Sequence, residues 1–192
     1  MKFQPKGKMV VFTAPSGAGK TTLVRHLLDH FGYLDFSVSA TTRSRREHER
    51  EGIDYFFLSE AAFKQKITEA AFVEWEEVYN GQFYGTLKTE LDRIWDQDKA
   101  IVFDIDVNGA CRLKEKYGEK CLTIFVKPPS IDTLVERLKN RNTETEASLA
   151  KRIEKVKREI GYENRFDAVI VNDLLEVAKK EAEMLVDNFI HH

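Results

Sequence analysis

A glycine-containing turn between an apolar run and a helical pattern constrains the fold of this chain more than any other feature. The run Met9 to Thr13 is short, apolar and partly β-branched, as expected for a buried parallel strand. The segment Thr21 to Phe31 carries apolar side chains at helical spacing. The order of strand, tight turn and helix is that of a phosphate-binding P-loop.

The turn itself nearly matches the P-loop pattern of Gly, four residues, and then Gly-Lys-Ser/Thr. Small residues let backbone N–H groups curl around phosphate oxygens, and the helix that follows adds its partial positive charge. Lys20 supplies a charge for the β- and γ-phosphates, and the Thr21 hydroxyl is a direct ligand for Mg²⁺. Ala14 replaces the first glycine, which is tolerable if its φ stays negative. The predicted nucleotide-binding residues are Ala14, Pro15, Ser16, Gly17, Ala18, Gly19, Lys20, Thr21 and Thr22.

The rest of the chain repeats the alternation of strands and helices. Further buried strands are predicted at residues 100–105, 121–126 and 168–171, and helices at 131–140, 148–162 and 174–189. This alternation predicts an α/β fold, a doubly wound parallel sheet flanked by helices. Asp104 ends the second strand, where its carboxylate can hold Mg²⁺ through water. A simpler reading is that Asp104 only caps the next turn.

Two segments break this rhythm and divide the predicted domain. Residues 36–86 are rich in arginine, glutamate and aromatic side chains, and we expect a small mixed α+β insert there. Residues 137–156 include a polar stretch of weak helix formers, which predicts a helical lid. The core P-loop domain would then comprise residues 1–35, 87–136 and 157–192.

Composition excludes several other classes of function. The 192 residues carry a net charge of −2, so no global basic field favours nucleic acid or an anionic membrane. No apolar run approaches the roughly 18 residues of a membrane-spanning helix, and Met1 to Lys8 lack the apolar core of a signal peptide. Cys111 and Cys121 have no metal-ligand spacing and fit a reducing compartment. We therefore expect a cytoplasmic protein with small-molecule partners.

Several motifs downstream of the P-loop, taken in order, resemble the guanylate kinases, a family of P-loop nucleoside monophosphate kinases. The resemblance extends from about Lys8 to Phe189, nearly the whole chain. The matching segments are Phe36 to Arg43, Gly52 to Tyr55, Phe72 to Trp75, Gly81 to Thr86, Asp104 to Asp106 and Arg141 to Glu146. Several motifs in one order are far more specific than a P-loop alone.

The resemblance implies that the insert binds GMP. Arginine forks and tyrosine hydroxyls suit its phosphate, and a carboxylate such as Glu74 can accept from both N1–H and the 2-amino group of guanine. The implied GMP-binding residues are Ser39, Arg43, Arg46, Tyr55, Glu74, Tyr84, Thr86 and Asp106. Taken singly, the arginines could be a solvated loop, Glu74 an exposed strand residue and the tyrosines packing groups. Arg45 and Glu49 are expected to face solvent.

The resemblance also implies which residues act on the transferring phosphoryl group. Arg137, Arg141 and Arg152 would be lid arginines that close over ATP and, with Lys20 and Arg43, make up the catalytic set. Asn172 follows the last strand, where its amide could bind the adenine of ATP. Asn-Asp after a strand is equally good turn chemistry.

The implied reaction is Mg²⁺-dependent transfer of the γ-phosphoryl group of ATP to GMP, with dGMP as an expected second acceptor. One alternative is a P-loop kinase acting on another phosphorylated small molecule. Another is a non-catalytic guanylate-kinase-like module that binds phosphopeptides, which would have little need of Lys20, Thr21 and Asp104. The oligomeric state, monomer or homo-oligomer, stays open.

Overall fold

The computed structural model describes residues 5–79, 81–139, 153–154, 156 and 158–192. Its strands are β1 (Met9–Thr13), β2 (Leu34–Phe36), β3 (Ala40–Thr41), β4 (Phe56–Phe57), β5 (Phe72–Tyr79), β6 (Gln82–Leu87), β7 (Ala100–Asp104), β8 (Cys121–Lys127) and β9 (Ala168–Val171). Its named helices are α1 (Lys20–His30), α2 (Glu60–Thr68), α3 (Lys88–Trp95), α4 (Val107–Tyr117), α5 (Ile131–Lys139) and α6 (Leu175–His191). None of the helices in these ranges is long and apolar enough to cross a membrane.

Five strands form a parallel sheet in the order β2-β7-β1-β8-β9. The central strand β1 is buried along its whole length, because it has a neighbour on each side and helices cover both faces. Val10 and Phe12 pack with side chains of α1 and α6, whereas Met9 and Val11 pack with side chains of α3 and α4. This architecture confirms the predicted doubly wound α/β fold.

A second, mixed sheet has the strand order β4-β3-β6-β5. Its strands and helix α2 come from residues 40–87, close to the predicted insert 36–86. Phe36, at the edge of that range, pairs with Val102 in the parallel sheet. Phe63 of α2 is fully buried, with its ring 4.3 Å from that of Phe72 and 5.5 Å from that of Phe83. The division of the chain into domains stays a prediction.

Most predicted elements lie within one or two residues of their expected bounds, but α3 and α4 were not assigned from the sequence. Helix α3 has only 8 residues, too few for a strong periodic signal. Helix α4 contains Asn108 and Gly109 in its first turn, both weak helix formers. Asp106 offsets this weakness as the N-cap, since its carboxylate accepts from the Gly109 N–H at 2.8 Å.

The parallel register places two loops together at the carboxyl edge of the sheet. In the pairing of β1 with β7, Phe12 lies beside Asp104. The turn after β1 and the carboxylate that ends β7 are therefore neighbours. Ligands of open α/β sheets bind at this edge.

We predict that replacing Phe63 by alanine destabilises the second sheet. The substitution removes a fully buried ring that stacks on Phe72, and such truncations cost about 3–5 kcal/mol. Urea unfolding followed by tryptophan fluorescence would measure the loss, because Trp75 lies in the same sheet. Ile53→Ala is the matched control, since Ile53 is 51% exposed and its truncation should leave the unfolding midpoint unchanged. Equal stability of Phe63→Ala and wild type would contradict the prediction.

Candidate active site

The P-loop joins β1 to α1 through a turn that requires glycine at two positions. Gly17 and Gly19 both have φ near +92°, in the left-handed region that side chains with a β-carbon rarely adopt. A β-carbon on Gly19 would also lie 2.1 Å from the amide nitrogen of Asn172. Among the described non-glycine residues only Ala70 and Asp98 have positive φ. Ala14 therefore meets the condition under which alanine is tolerated at the first position of the pattern.

Lys20, Thr21 and Asp104 form a compact cluster beside this loop. Lys20 makes an ion pair with Asp104 and donates to the carbonyl of Ile105 at 2.9 Å. The Thr21 hydroxyl donates to the other carboxylate oxygen of Asp104 at 2.8 Å. The simpler reading of Asp104 as only a turn cap does not account for these contacts. A hydroxyl and a carboxylate at this distance supply oxygen ligands of the kind that Mg²⁺ prefers, so the residues fit that ion.

Asn172 lies beneath the P-loop and is 5% exposed. Its amide nitrogen donates to the carbonyl of Ala18 at 2.8 Å. This contact braces the loop from the end of β9, a use of the side chain that sequence reasoning did not anticipate. The Gly19 conformation provides the room for it. The expected adenine contact of Asn172 stays a prediction.

A cleft of about 490 Å³ connects the P-loop to the second sheet. It brings together most of the residues expected to bind either nucleotide. The expected residues that line it are Ala14, Pro15, Ser16, Gly17, Gly19, Lys20, Thr21, Thr22, Ser39, Arg46, Tyr55, Glu74, Tyr84, Asp104 and Asp106. Glu76, Val156 and Glu159 also line the cleft and were not expected there.

Glu74 on β5 and Thr86 on β6 form a buried polar pair at one end of the cleft. They are cross-strand partners, and the Thr86 hydroxyl donates to Glu74 Oε1 at 2.7 Å. Glu74 is 8% exposed, which excludes the reading of an outward-facing strand residue. Burial raises the pKa of the Glu74 carboxyl to about 7, and the nearby Asp106 carboxylate acts in the same direction. The Thr86 hydrogen bond opposes the shift.

Gly109 is a part of this end of the site that the sequence analysis missed. A β-carbon there would lie 2.9 Å from Glu74 Oε2 and 3.2 Å from Ile105 Cδ1. The N-terminal turn of α4 can approach the buried carboxylate only because this position lacks a side chain. A glycine three residues after a helix-capping aspartate was the available signal, but the helix itself had not been assigned.

The prediction that Glu49 faces solvent is wrong. Glu49 is 7% exposed and binds both terminal nitrogens of the Arg43 guanidinium, at 2.7 and 2.8 Å. It also accepts from the Arg46 backbone N–H at 2.8 Å. The hydrogen bonds from Arg43 lower the pKa of Glu49 to about 2, against the effect of its desolvation. One of several acidic residues in a loop of mixed charge gave no sign of this pairing, whereas Arg45 is exposed as expected.

Arg43 is held in place by aromatic rings as well as by this carboxylate. Its guanidinium lies 5.1 Å from the Tyr55 ring centre and 5.7 Å from that of Phe57. The Tyr55 and Tyr84 rings are 6.1 Å apart, edge to face. Glu49 raises the pKa of Arg43, which keeps its charge fixed. Arg43 is therefore a fixed, paired charge, whereas its neighbours Arg45 and Arg46 are exposed.

Two of the three expected lid arginines, Arg141 and Arg152, lie outside the described residues. Arg137 lies in α5, and its side chain is also outside the described set. Near this region, Leu134 and Val156 are fully or almost fully buried against each other. The role of the arginines stays a prediction.

Comparison with known proteins agrees with this geometry. The family model described as guanylate kinase matches residues 6–188. A guanylate kinase of Chlorobium chlorochromatii is 42% identical over 190 residues, covering 99% of this chain and all of that protein. A guanylate kinase of Bacteroides fragilis is 43% identical over 185 residues, 96% of this chain and 91% of that protein. The crystal structure of guanylate kinase from Anaplasma phagocytophilum aligns with a TM-score of 0.73 at 29% identity, covering 97% of this chain and 88% of that one.

Fold, cleft and relatives lead to one assignment. The parallel sheet with its P-loop and the second sheet that faces it are covered by the family match almost from end to end. The chain belongs to the guanylate kinase family of nucleoside monophosphate kinases.

Proposed function

We propose that this chain transfers the γ-phosphoryl group of ATP to GMP, and also to dGMP, in a Mg²⁺-dependent reaction that gives ADP and GDP or dGDP. The observation that carries the proposal is the shared cleft, in which the P-loop and the buried Glu74 carboxylate line one cavity. Such a transfer needs two sites that face each other. One binds the triphosphate, and the other binds a base that has two hydrogen-bond donors. The names of the relatives support the same assignment.

The buried pair of Glu74 and Thr86 would select guanine. Guanine presents N1–H and a 2-amino group side by side, and the ionised Glu74 carboxylate can accept from both. The Thr86 hydroxyl, which donates to Glu74 at 2.7 Å, can turn to donate to guanine O6. Adenine has no donor at either of the first two positions and would leave the carboxylate unpaired. Ser39 and Asp106 line the same cleft and would complete the base site.

The arginine and tyrosine cluster would bind the phosphate of the acceptor. Arg46, Tyr55 and Tyr84 line the cleft. Arg43 has five N–H donors; three go to Glu49 and to the Ser44 carbonyl, and the guanidinium also contacts the Tyr84 hydroxyl. We propose that its other donors serve the acceptor phosphate. Glu49 would then act as a fixed support that positions the guanidinium before the substrate arrives.

The P-loop cluster would bind the phosphates of ATP. Lys20 would leave Asp104 and Ile105 and move to the β- and γ-phosphates, which compete for its charge. Thr21 would hold Mg²⁺ directly and Asp104 would hold it through water. When bound with ATP, Mg²⁺ supplies positive charge that neutralises the phosphate oxygens. Asn172, fixed against Ala18, would place its carboxamide near the adenine.

Transfer itself would need no covalent intermediate on the protein. The acceptor phosphate oxygen attacks in line, and Arg43, Arg46 and Tyr84 would orient it. We propose that Arg137, Arg141 and Arg152 of the lid stabilise the charge of the transferring group. In this scheme residues 36–86 act as the acceptor-binding insert and residues 137–156 as the lid that excludes water.

We predict that replacing Lys20 by alanine abolishes transfer and leaves GMP binding intact. Lys20 belongs to the donor end of the cleft, so its loss removes charge only where ATP binds. We expect kcat to fall by about 10³-fold or more, in an assay coupled to ADP release. Calorimetry should give an unchanged Kd for GMP. Lys88→Ala, at an exposed position, is the control. Near-normal turnover of Lys20→Ala would refute the role of the P-loop lysine.

A panel of acceptors tests the reaction itself. With ATP and Mg²⁺ present, ADP release should be fastest with GMP and dGMP. We expect AMP, CMP, UMP and sugar phosphates to be slower by about 10³-fold or more in kcat/KM, because none of them presents guanine's N1–H and adjacent amino group to the buried carboxylate. Equal rates with AMP would exclude guanine selection. A faster reaction with a sugar phosphate would favour a different P-loop kinase, and no ADP release with any acceptor would favour a binding module.

The raised pKa of Glu74 predicts that GMP affinity depends on pH. Two guanine donors require the ionised carboxylate, which is half-populated near pH 7 in the free protein. Guanine binding stabilises that ionised form, so affinity should rise from pH 6 to pH 8 and then level off. The acceptor phosphate titrates near pH 6 and contributes to the same slope. Calorimetric Kd values for wild type and Glu74→Gln separate the two effects, because the variant keeps only the phosphate part. The same pH slope in both proteins would contradict the prediction.

A further inference from the structure

Two histidines and a glutamate lie together on the surface, at the end of α1 that is far from the P-loop. His26 and His30 are four residues apart on α1, and Glu183 faces them from α6. His26 Nε2 lies 2.5 Å from Glu183 Oε1, and the two imidazole rings stack at 5.8 Å. One nitrogen or oxygen from each of the three side chains lies within 4.8 Å of the other two. The proposed reaction uses none of these residues.

We propose that His26, His30 and Glu183 form a binding site for a divalent transition-metal ion, with Zn²⁺ as the best match. Imidazole nitrogen and carboxylate oxygen are common zinc ligands, and three protein ligands with one water complete a tetrahedral shell. Histidines at positions i and i+4 of a helix project from the same face. Mg²⁺ prefers oxygen ligands, so this site differs in chemistry from the one proposed at Thr21 and Asp104.

The geometry needs only small side-chain movements to close around an ion. Ligands at about 2.0–2.1 Å from a tetrahedral zinc ion lie about 3.4 Å apart. The exposed His30 ring must move inward, which its exposure permits, and the contact between His26 and Glu183 must open slightly. The metal would replace the hydrogen bond that now joins His26 to Glu183.

The backbone that carries these side chains is already fixed by packing. Leu23 and Leu27 of α1 are fully buried, as are Ala182 and Val186 of α6, and all four belong to one core cluster. The ligands therefore project from two rigid helices in contact, which favours a preformed site. The Glu176 carboxylate of α6 also interacts electrostatically with His26, but it is ion-paired with Lys179 at 2.8 Å, so we do not count it as a ligand.

A metal at this position would act as a cross-link between the two helices. The three ligands are brought together only in the folded protein. Metal binding should therefore stabilise the folded state and raise the melting temperature. We expect no change in phosphoryl transfer, since the ligands lie outside the cleft.

The test is zinc titration calorimetry on the full chain after treatment with EDTA, without an affinity tag or nucleotide, at pH 7.5. Wild type should bind one Zn²⁺ at this site. His30→Gln and Glu183→Gln should each weaken it by about 100-fold or more, given that loss of a supporting outer-shell contact alone costs 10–100-fold. His48→Gln, at an exposed histidine in the insert, is the matched control. A His191→Gln/His192→Gln double variant separates the terminal histidines, and it should retain the site.

Thermal unfolding with and without Zn²⁺ provides an independent readout. Zinc should raise the melting temperature of wild type and of His48→Gln, and leave that of His30→Gln unchanged. Because His30 is exposed, the variant should fold, which circular dichroism in EDTA would verify. Absence of zinc binding to wild type, binding retained in His30→Gln, or binding lost only with His191 and His192 would each overturn the proposal.

Discussion

The contact of Asp104 with Lys20 and Thr21 is the interaction on which the rest of the site depends. It joins the first turn of α1 to the end of the neighbouring strand β7, and so fixes the P-loop at the carboxyl edge of the parallel sheet. The same three side chains are the ones that triphosphate and metal would recruit. In the structure these side chains satisfy one another. Binding is then an exchange of partners and not the burial of new charge.

The acceptor half of the cleft follows a different physical principle. Glu49 neutralises Arg43 and fixes it against two aromatic rings, whereas Glu74 is buried with one hydroxyl donor and a raised pKa. Glu49 stabilises the charge of Arg43. The ionised Glu74 carboxylate, by contrast, carries an unfavourable charge until a ligand supplies hydrogen-bond donors. Under the proposed function, specificity would come from the second arrangement, because a ligand without donors leaves the cost of burial unrelieved.

The sequence was most informative where local pattern and chemistry coincide. The strand, P-loop and helix from Met9 to His30 were predictable because periodicity, glycine spacing and the Lys-Thr pair agree. Most residues expected in the cleft do line it. What could not be predicted depends on long-range contacts. The burial of Glu49, the close approach of Gly109 to Glu74, and the placement of Asn172 under Ala18 each join elements whose relative position no local pattern encodes.

The hydrogen bond between Asn172 and Ala18 has a consequence for synthesis of the protein. It spans 154 positions of the chain, so the P-loop is translated long before the side chain that supports it. A nascent chain on the ribosome carries the complete phosphate-binding motif but lacks β9, and with it this brace. The loop gains this hydrogen bond only when β9, an edge strand of the parallel sheet, has emerged together with Asn172. The brace on the P-loop is therefore added late in translation, after the other four strands of the parallel sheet have been made.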